Sequence, residues 1–247
     1  MRFSREMLLL KSTTMALAVL GLLFPNFCSG QPLTPAEALD RYLASHVQQS
    51  ACSASVFNVH IDASMPTLRK QGSMSGLKLV SYTGQVVYKS LRFTGDKLVK
   101  TAVIARFLAH DTNAAERTGD AAVSRQNYWF IYNKTSDYNG LTAYVFLLKP
   151  RYKRAGLLRG ELWLTADTAV PLRLWGDLVK SPSILLRSFR IVQDYQIVGG
   201  CSQPLRLLLT AQTRIAGTAE MVIWLHPVEV VPRLQNGGQL PNADSEQ

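Results

Sequence analysis

Ser75 and Lys78 stand three residues apart, the S-x-x-K spacing in which a lysine can take the proton of a nucleophilic serine. Neither companion motif, S-D-N or K-T-G, follows, and Lys78 falls inside a strand pattern, so the pair points to no acyl-transfer site. Gly72–Gly76 reads GSMSG, but its centre is Met74, where a nucleophile elbow carries serine. The four histidines, His46, His60, His110 and His226, lack the short pair spacings of most metal sites. No glycine loop for phosphates appears, and carboxylates are sparse and dispersed. These residues point to no catalytic residue, no metal and no cofactor, and so to binding rather than turnover.

The densest charge lies in LKPRYKRAGLLRGELWL, Leu148–Leu164, where Lys149, Arg151, Lys153, Arg154 and Arg159 crowd between two apolar runs. The whole chain of 247 residues carries 27 Lys and Arg against 17 Asp and Glu, a net charge of +10. A basic surface suits nucleic acid, an anionic membrane or an acidic protein. With neither an aromatic RNA-binding signature nor a helix-turn-helix pattern, nucleic acid is not an expected partner. Lys149, Arg151, Lys153 and Arg154 are the candidates for contact with an anionic membrane surface or an acidic envelope protein. The competing reading is a solvated bend whose cations discourage unwanted strand pairing.

Compartment bears on this choice. Arg2, Arg5 and Lys11 precede the apolar run MALAVLGLLF, followed by Pro25 and the small residues Cys28, Ser29 and Gly30, the order of a secretory signal peptide. Residues 1–30 are therefore expected to be removed, leaving an exported protein, periplasmic or otherwise extracytoplasmic, that is soluble and still basic. Cys52 and Cys201 would remain, and in an oxidising compartment an isolated pair is expected to form a disulfide, with two separately buried thiols as the alternative.

The elements that must position any site follow from periodicity. Thr34-Pro35-Ala36-Glu37 is a capping box with proline at the first helical position, and Ala36, Leu39, Leu43 and Val47 recur at helical spacing. Phe57, Val59 and Ile61 then alternate with Asn58, His60 and Asp62, the period of a strand with one buried face. Short runs near Gly76–Tyr82 and Val86–Phe93 form a hairpin, and a broad apolar helix spans Asp96–Ala109, either as a core helix or as a lid beside the polar stretch 110–124. Seven further strand runs extend to His226. Leu205, Leu207 and Leu209, and Met221, Ile223 and Leu225, mark the same kind of apolar face.

The expected fold is mainly β: a large curved antiparallel sheet or half-barrel of about ten strands, with helices covering the concave face. It occupies a single domain, 31–231, followed by a disordered polar tail, 232–247. Two helices cover little of so long a sheet, so Phe57, Val59, Ile61, Phe93, Phe146, Leu205, Leu207, Leu209, Met221 and Ile223 are candidates to line an apolar ligand groove.

Tyr144–Gly176, YVFLLKPRYKRAGLLRGELWLTADTAVPLRLWG, resembles the LolA, LolB and RseB superfamily of periplasmic lipoprotein carriers and their relatives. The resemblance rests on a strand ending in Leu-Lys-Pro, a turn, a strand leading to the acidic turn Asp167-Thr168, then Pro171-Leu172-Arg173. It implies an antiparallel half-barrel with helices on its concave side, where acyl chains or lipoprotein-derived peptides bind. No functional residue of the family maps onto a numbered position here. The expectation is an exported, non-enzymatic protein that holds a lipid, lipoprotein or other amphiphile. The alternative is a structural or partner-binding envelope protein whose groove is filled by its own side chains, with a hydrolase a distant third.

Overall fold

A computed structural model describes residues 32–45, 55–81, 84–112, 121–181, 184–199 and 201–228. The expected export signal, His46, Cys52 and the polar tail lie outside them.

The capping box forms as its residue types dictate. The Thr34 N–H donates to Glu37 Oε2 at 2.8 Å and the Glu37 N–H donates to Thr34 Oγ1 at 3.3 Å, starting α1 (Pro35–Ser45). Ala38, Leu39 and Tyr42 form its buried stripe, while Ala36 is exposed, so the buried face is turned by about a quarter turn from the aliphatic pattern.

The sheet begins with β1 (Ser55–Met65), a 3-10 turn at Pro66–Leu68, β2 (Lys70–Val80) and β3 (Val86–Gly95). Asp96 then caps α2 (Lys97–Val99), accepting from the Leu98 N–H at 2.7 Å. The helix runs on through a π-helical turn, Lys100–Ile104, into α3 (Ala105–Thr112). Seven strands follow: β4 (Tyr128–Tyr138), β5 (Leu141–Pro150), β6 (Leu158–Thr165), β7 (Pro171–Leu178), β8 (Leu186–Val198), β9 (Cys201–Thr213) and β10 (Thr218–Pro227).

All ten strands join one open sheet in the order β3-β2-β1-β10-β9-β8-β7-β6-β5-β4, and every pairing is antiparallel. The mainly β architecture expected from the sequence is therefore present, with one change to a simple meander. The consecutive strands β3 and β4 occupy opposite edges, because β1 and β10 pair in the middle. The chain between them must pass from one edge of the sheet to the other, and α2–α3 belongs to that connection.

The helices cover one face. Under α1, Ala38, Leu39 and Tyr42 pack with Tyr128, Tyr144, Phe146, Leu148, Leu157, Leu158, Leu162 and Leu164. Under α2–α3, Val99, Ile104 and Leu108 pack with Phe57, Val59, Ile61, Met74, Leu209, Met221, Ile223 and Leu225. One continuous sheet thus carries two apolar clusters, and burial of these side chains is the main favourable term available to it. A polar knot fastens α3: Asp111 accepts from Tyr88 Oη at 2.7 Å and pairs with Lys78 Nζ at 2.8 Å. Burial, then the Asp111 charge, pushes the Tyr88 hydroxyl far above its ordinary pKa, so it remains a donor.

Candidate functional site

The groove candidates fall into three groups. Phe57, Val59, Ile61, Leu209, Met221 and Ile223 are buried in the cluster beneath α2–α3, with Leu207 half-buried against it, and Phe146 belongs to the cluster beneath α1. Phe93 is 40% exposed near the β3 edge, outside both clusters. Leu205 sits where the pairing of β8 with β9 shifts between Asp194 and Tyr195, and it borders a hollow on the face opposite the helices.

Between the clusters, the helix-covered face is less completely filled. Leu174 on β7, Phe189 and Ile191 on β8 and Leu207 on β9 are half-buried, packed at the margins of one cluster or the other. Gly160 and Gly176 face each other on β6 and β7 beside them. Their missing side chains permit a close approach: a Cβ at Gly160 would stand 1.8 Å from the Trp175 carbonyl oxygen and 2.5 Å from Gly176 Cα. A mainly apolar strip thus crosses β7–β9, with α1 on one side and α2–α3 on the other; the half-buried Gln193 interrupts it between Leu174 and Leu207, its amide donating to the Asp194 and Arg206 carbonyls at 2.9 and 3.1 Å. Tyr195, also near α1, has its hydroxyl pKa pushed up to about 12 by burial.

The cationic bend is partly internal. Arg151 stacks on Trp129, its guanidinium carbon 3.4 Å from the ring centroid, and its Nε donates to the Tyr128 carbonyl at 3.3 Å. Arg154 donates to Asn127 Oδ1 at 2.8 Å. Lys149 and Lys153 are exposed, as are Trp129, Ile131 and Tyr152 on or beside the edge strand β4. An aromatic and cationic surface therefore lies at this end of the sheet.

The apparent catalytic motif separates. Along β2, Ser75 pairs with His60 and Lys78 pairs with Phe57, which puts the serine and lysine on opposite faces. Met74, at the centre of GSMSG, is a core residue beneath α2–α3. His60 lies 3.2 Å from Asp62 at the surface, and among the described residues no group of three or more His, Cys, Asp or Glu side chains is placed to hold a metal ion. Cys201 at the start of β9 is disulfide-bonded, and Cys52 lies outside the described residues.

The most organised polar cluster was invisible in the sequence, because its members come from separate strands. Trp163, Arg173, Asp194, Arg206 and Trp224 are cross-strand neighbours in that order on β6, β7, β8, β9 and β10, on the face away from the helices. Asp194 is 3% exposed; its Oδ1 accepts from Arg173 Nε at 2.6 Å and from Tyr138 Oη at 3.1 Å, and its Oδ2 from Arg206 at 2.6 and 3.0 Å. Burial alone would raise the carboxyl pKa, but hydrogen bonds and charge from Arg173 and Arg206 outweigh it and hold Asp194 below the ordinary carboxylate range.

No known family model matches the sequence, and no curated protein matches it. The structure is similar to a DUF1329 family protein from Desulfovibrio piger, with 13% identity, TM-score 0.37, and 78% of this chain and 94% of that one covered. It is similar to the LolA superfamily protein NE2245 from Nitrosomonas europaea, with 14% identity, TM-score 0.38, and 81% and 96% covered. A third likeness is to MucB of the MucA/MucB complex from Pseudomonas aeruginosa, with 10% identity, TM-score 0.25, and 78% and 94% covered. At these TM-scores the likenesses bear on no site or activity.

Proposed function

We propose that this chain is an exported, non-enzymatic binding protein of the cell envelope that holds the acyl part of a lipid, lipoprotein or other amphiphile against the helix-covered face. The observation that carries this reading is the half-buried strip of Leu174, Phe189, Ile191 and Leu207 between the two filled clusters. An acyl chain there would remove this apolar surface from water, at about 25 cal/mol for each Å² covered. It would displace little native packing, since the strip lies at the margins of both clusters. The cationic end of the sheet suits an anionic headgroup or membrane surface, because Lys149 and Lys153 are exposed and Trp129 and Tyr152 add amphipathic rings of the kind found at membrane interfaces.

Titration with a fluorescent fatty acid, followed by displacement with unlabelled palmitate, tests the strip. Saturable binding that Ile191→Glu weakens by about tenfold or more is expected, with thermal unfolding showing that the variant remains folded. Absence of saturable binding would leave the alternative, a partner-binding protein whose groove is self-filled. Co-sedimentation with phosphatidylglycerol vesicles reports separately on the cationic end: Lys149→Ser with Lys153→Ser should lower vesicle binding at low salt, and salt should do the same to the native chain.

A further inference from the structure

We propose that the hollow on the face away from the helices is a carbohydrate-binding site, built around the row Trp163–Arg173–Asp194–Arg206–Trp224. The five residues are consecutive cross-strand neighbours, so at about 4.8 Å per strand the row spans about 19 Å. They line a hollow of ≈ 660 Å³ together with Tyr138, Asp137 and Asn139 from the β4–β5 hairpin, and with Leu205. That volume lies within the range of small-molecule sites.

The chemistry of the lining selects the ligand class. Asp194 fixes both arginines from beneath: Arg173 is bound to it through Nε alone, and Arg206 through Nε and one terminal nitrogen. The remaining guanidinium N–H groups are held in fixed orientation at half-buried positions, with Arg173 5.1 Å from the Tyr138 ring centroid and Arg206 5.3 Å from that of Trp224. Asp137 and Asn139 add acceptors, and Asn139 adds donors too. Formal charges on the lining, Arg173 and Arg206 against Asp137 and Asp194, cancel. A neutral lining of that kind does not favour a bare anion.

Aromatic plates beside fixed donors and acceptors match a sugar ring, whose C–H face is apolar and whose hydroxyl groups both donate and accept. The indole of Trp163 stands edge-on to Tyr138, with centroids 5.9 Å apart, and its N–H is already taken by Glu161 Oε2 at 2.9 Å. It therefore serves the hollow as an apolar plate. A structural network would use Arg173, Asp194 and Arg206 and engage Trp224 and Trp163 through Arg206 and Tyr138; it does not by itself require an open hollow over them.

The inference is independent of the acyl-binding reading, since the two sites lie on opposite faces of the sheet. A glycan array probed with the full chain, followed by titration of the best oligosaccharide against tryptophan fluorescence, tests it. The expected result is saturable binding that Trp224→Ala weakens by about tenfold or more. Arg206→Lys, which keeps the charge but loses the planar fork and one of its two bonds to Asp194, should weaken it as well, with a single cooperative thermal transition showing that the variant remains folded. Fatty-acid displacement should be unchanged in both variants. No saturable binding across the array, or binding that neither variant alters, would overturn the proposal. So would preference for a poly-glutamate peptide over every glycan, which would make the hollow a docking site for acidic protein segments.

Discussion

At the scale of the residue, Asp194 shows how a charge can be kept on a sheet with little exposure. Desolvation opposes the carboxylate, and two guanidiniums reverse the balance. Because its folded-state pKa lies below the unfolded value of about 4, the ionised group contributes stability that is fully present above that value and is lost as pH falls through the lower folded value. Asp194→Asn removes this contribution and leaves both arginines without their anion. Arg173 and Arg206 retain roughly 30% side-chain exposure, so water relieves part of the deficit, and the expected loss at neutral pH is about 1–3 kcal/mol. Urea unfolding of both proteins should give a gap that narrows as pH drops below about 4. A gap that stays constant into acid would show that the carboxylate charge is not the source.

At the scale of the element, alternation made the buried faces of β1 and β10 legible, because each strand has one face packed beneath α2–α3. Met221 and Ile223 are buried as the pattern of β10 required. The early part of β2 escaped notice because Lys70–Ser75 is polar and glycine-containing and enters the sheet through its pairing with β1. Leu205 illustrates a different limit: its spacing matches Leu207 and Leu209, yet the register shift at Asp194/Tyr195 brings it to the border of the opposite hollow. Period-2 reasoning assumes an unbroken ladder and has no means of seeing a bulge. The pair Gly160 and Gly176 makes a sharper statement about strand packing. A methyl group at Gly160 meets backbone atoms of β7 at 1.8 and 2.5 Å, and backbone cannot rotate away as a side chain can. Gly160→Ala should cost about 1–3 kcal/mol or more, and Gly140→Ala, in open space at φ +82, should cost less, through strain alone. Equal midpoints for the two variants in thermal unfolding would contradict the close approach of β6 and β7.

At the scale of the whole molecule, two features depend on chain order rather than composition. The Trp163–Trp224 row assembles only because five strands arrive in register, so scattered aromatics that read as ordinary strand packing become one surface. The second feature is the closure between β1 and β10, which joins an N-terminal three-stranded unit to a C-terminal seven-stranded one. Cys201 bears on that closure, since β9 lies two strands from β1 and Cys201 is disulfide-bonded. We infer that its partner is Cys52, three residues before β1 in the sequence, a bridge that would link the N-terminal three-stranded unit to the C-terminal seven-stranded one. Chain-entropy reasoning gives a closure of this length a stabilisation of about 4–5 kcal/mol, with about 2–4 typical of native bridges. Non-reducing peptide mapping should recover a Cys52–Cys201 cross-link, and Cys201→Ser should lower the unfolding midpoint to that of the chemically reduced native chain. A Cys28–Cys201 peptide would overturn the assignment. It would also mean that the N-terminal segment is retained, in direct conflict with removal of residues 1–30 on export, so the same map tests the pairing and the processing together.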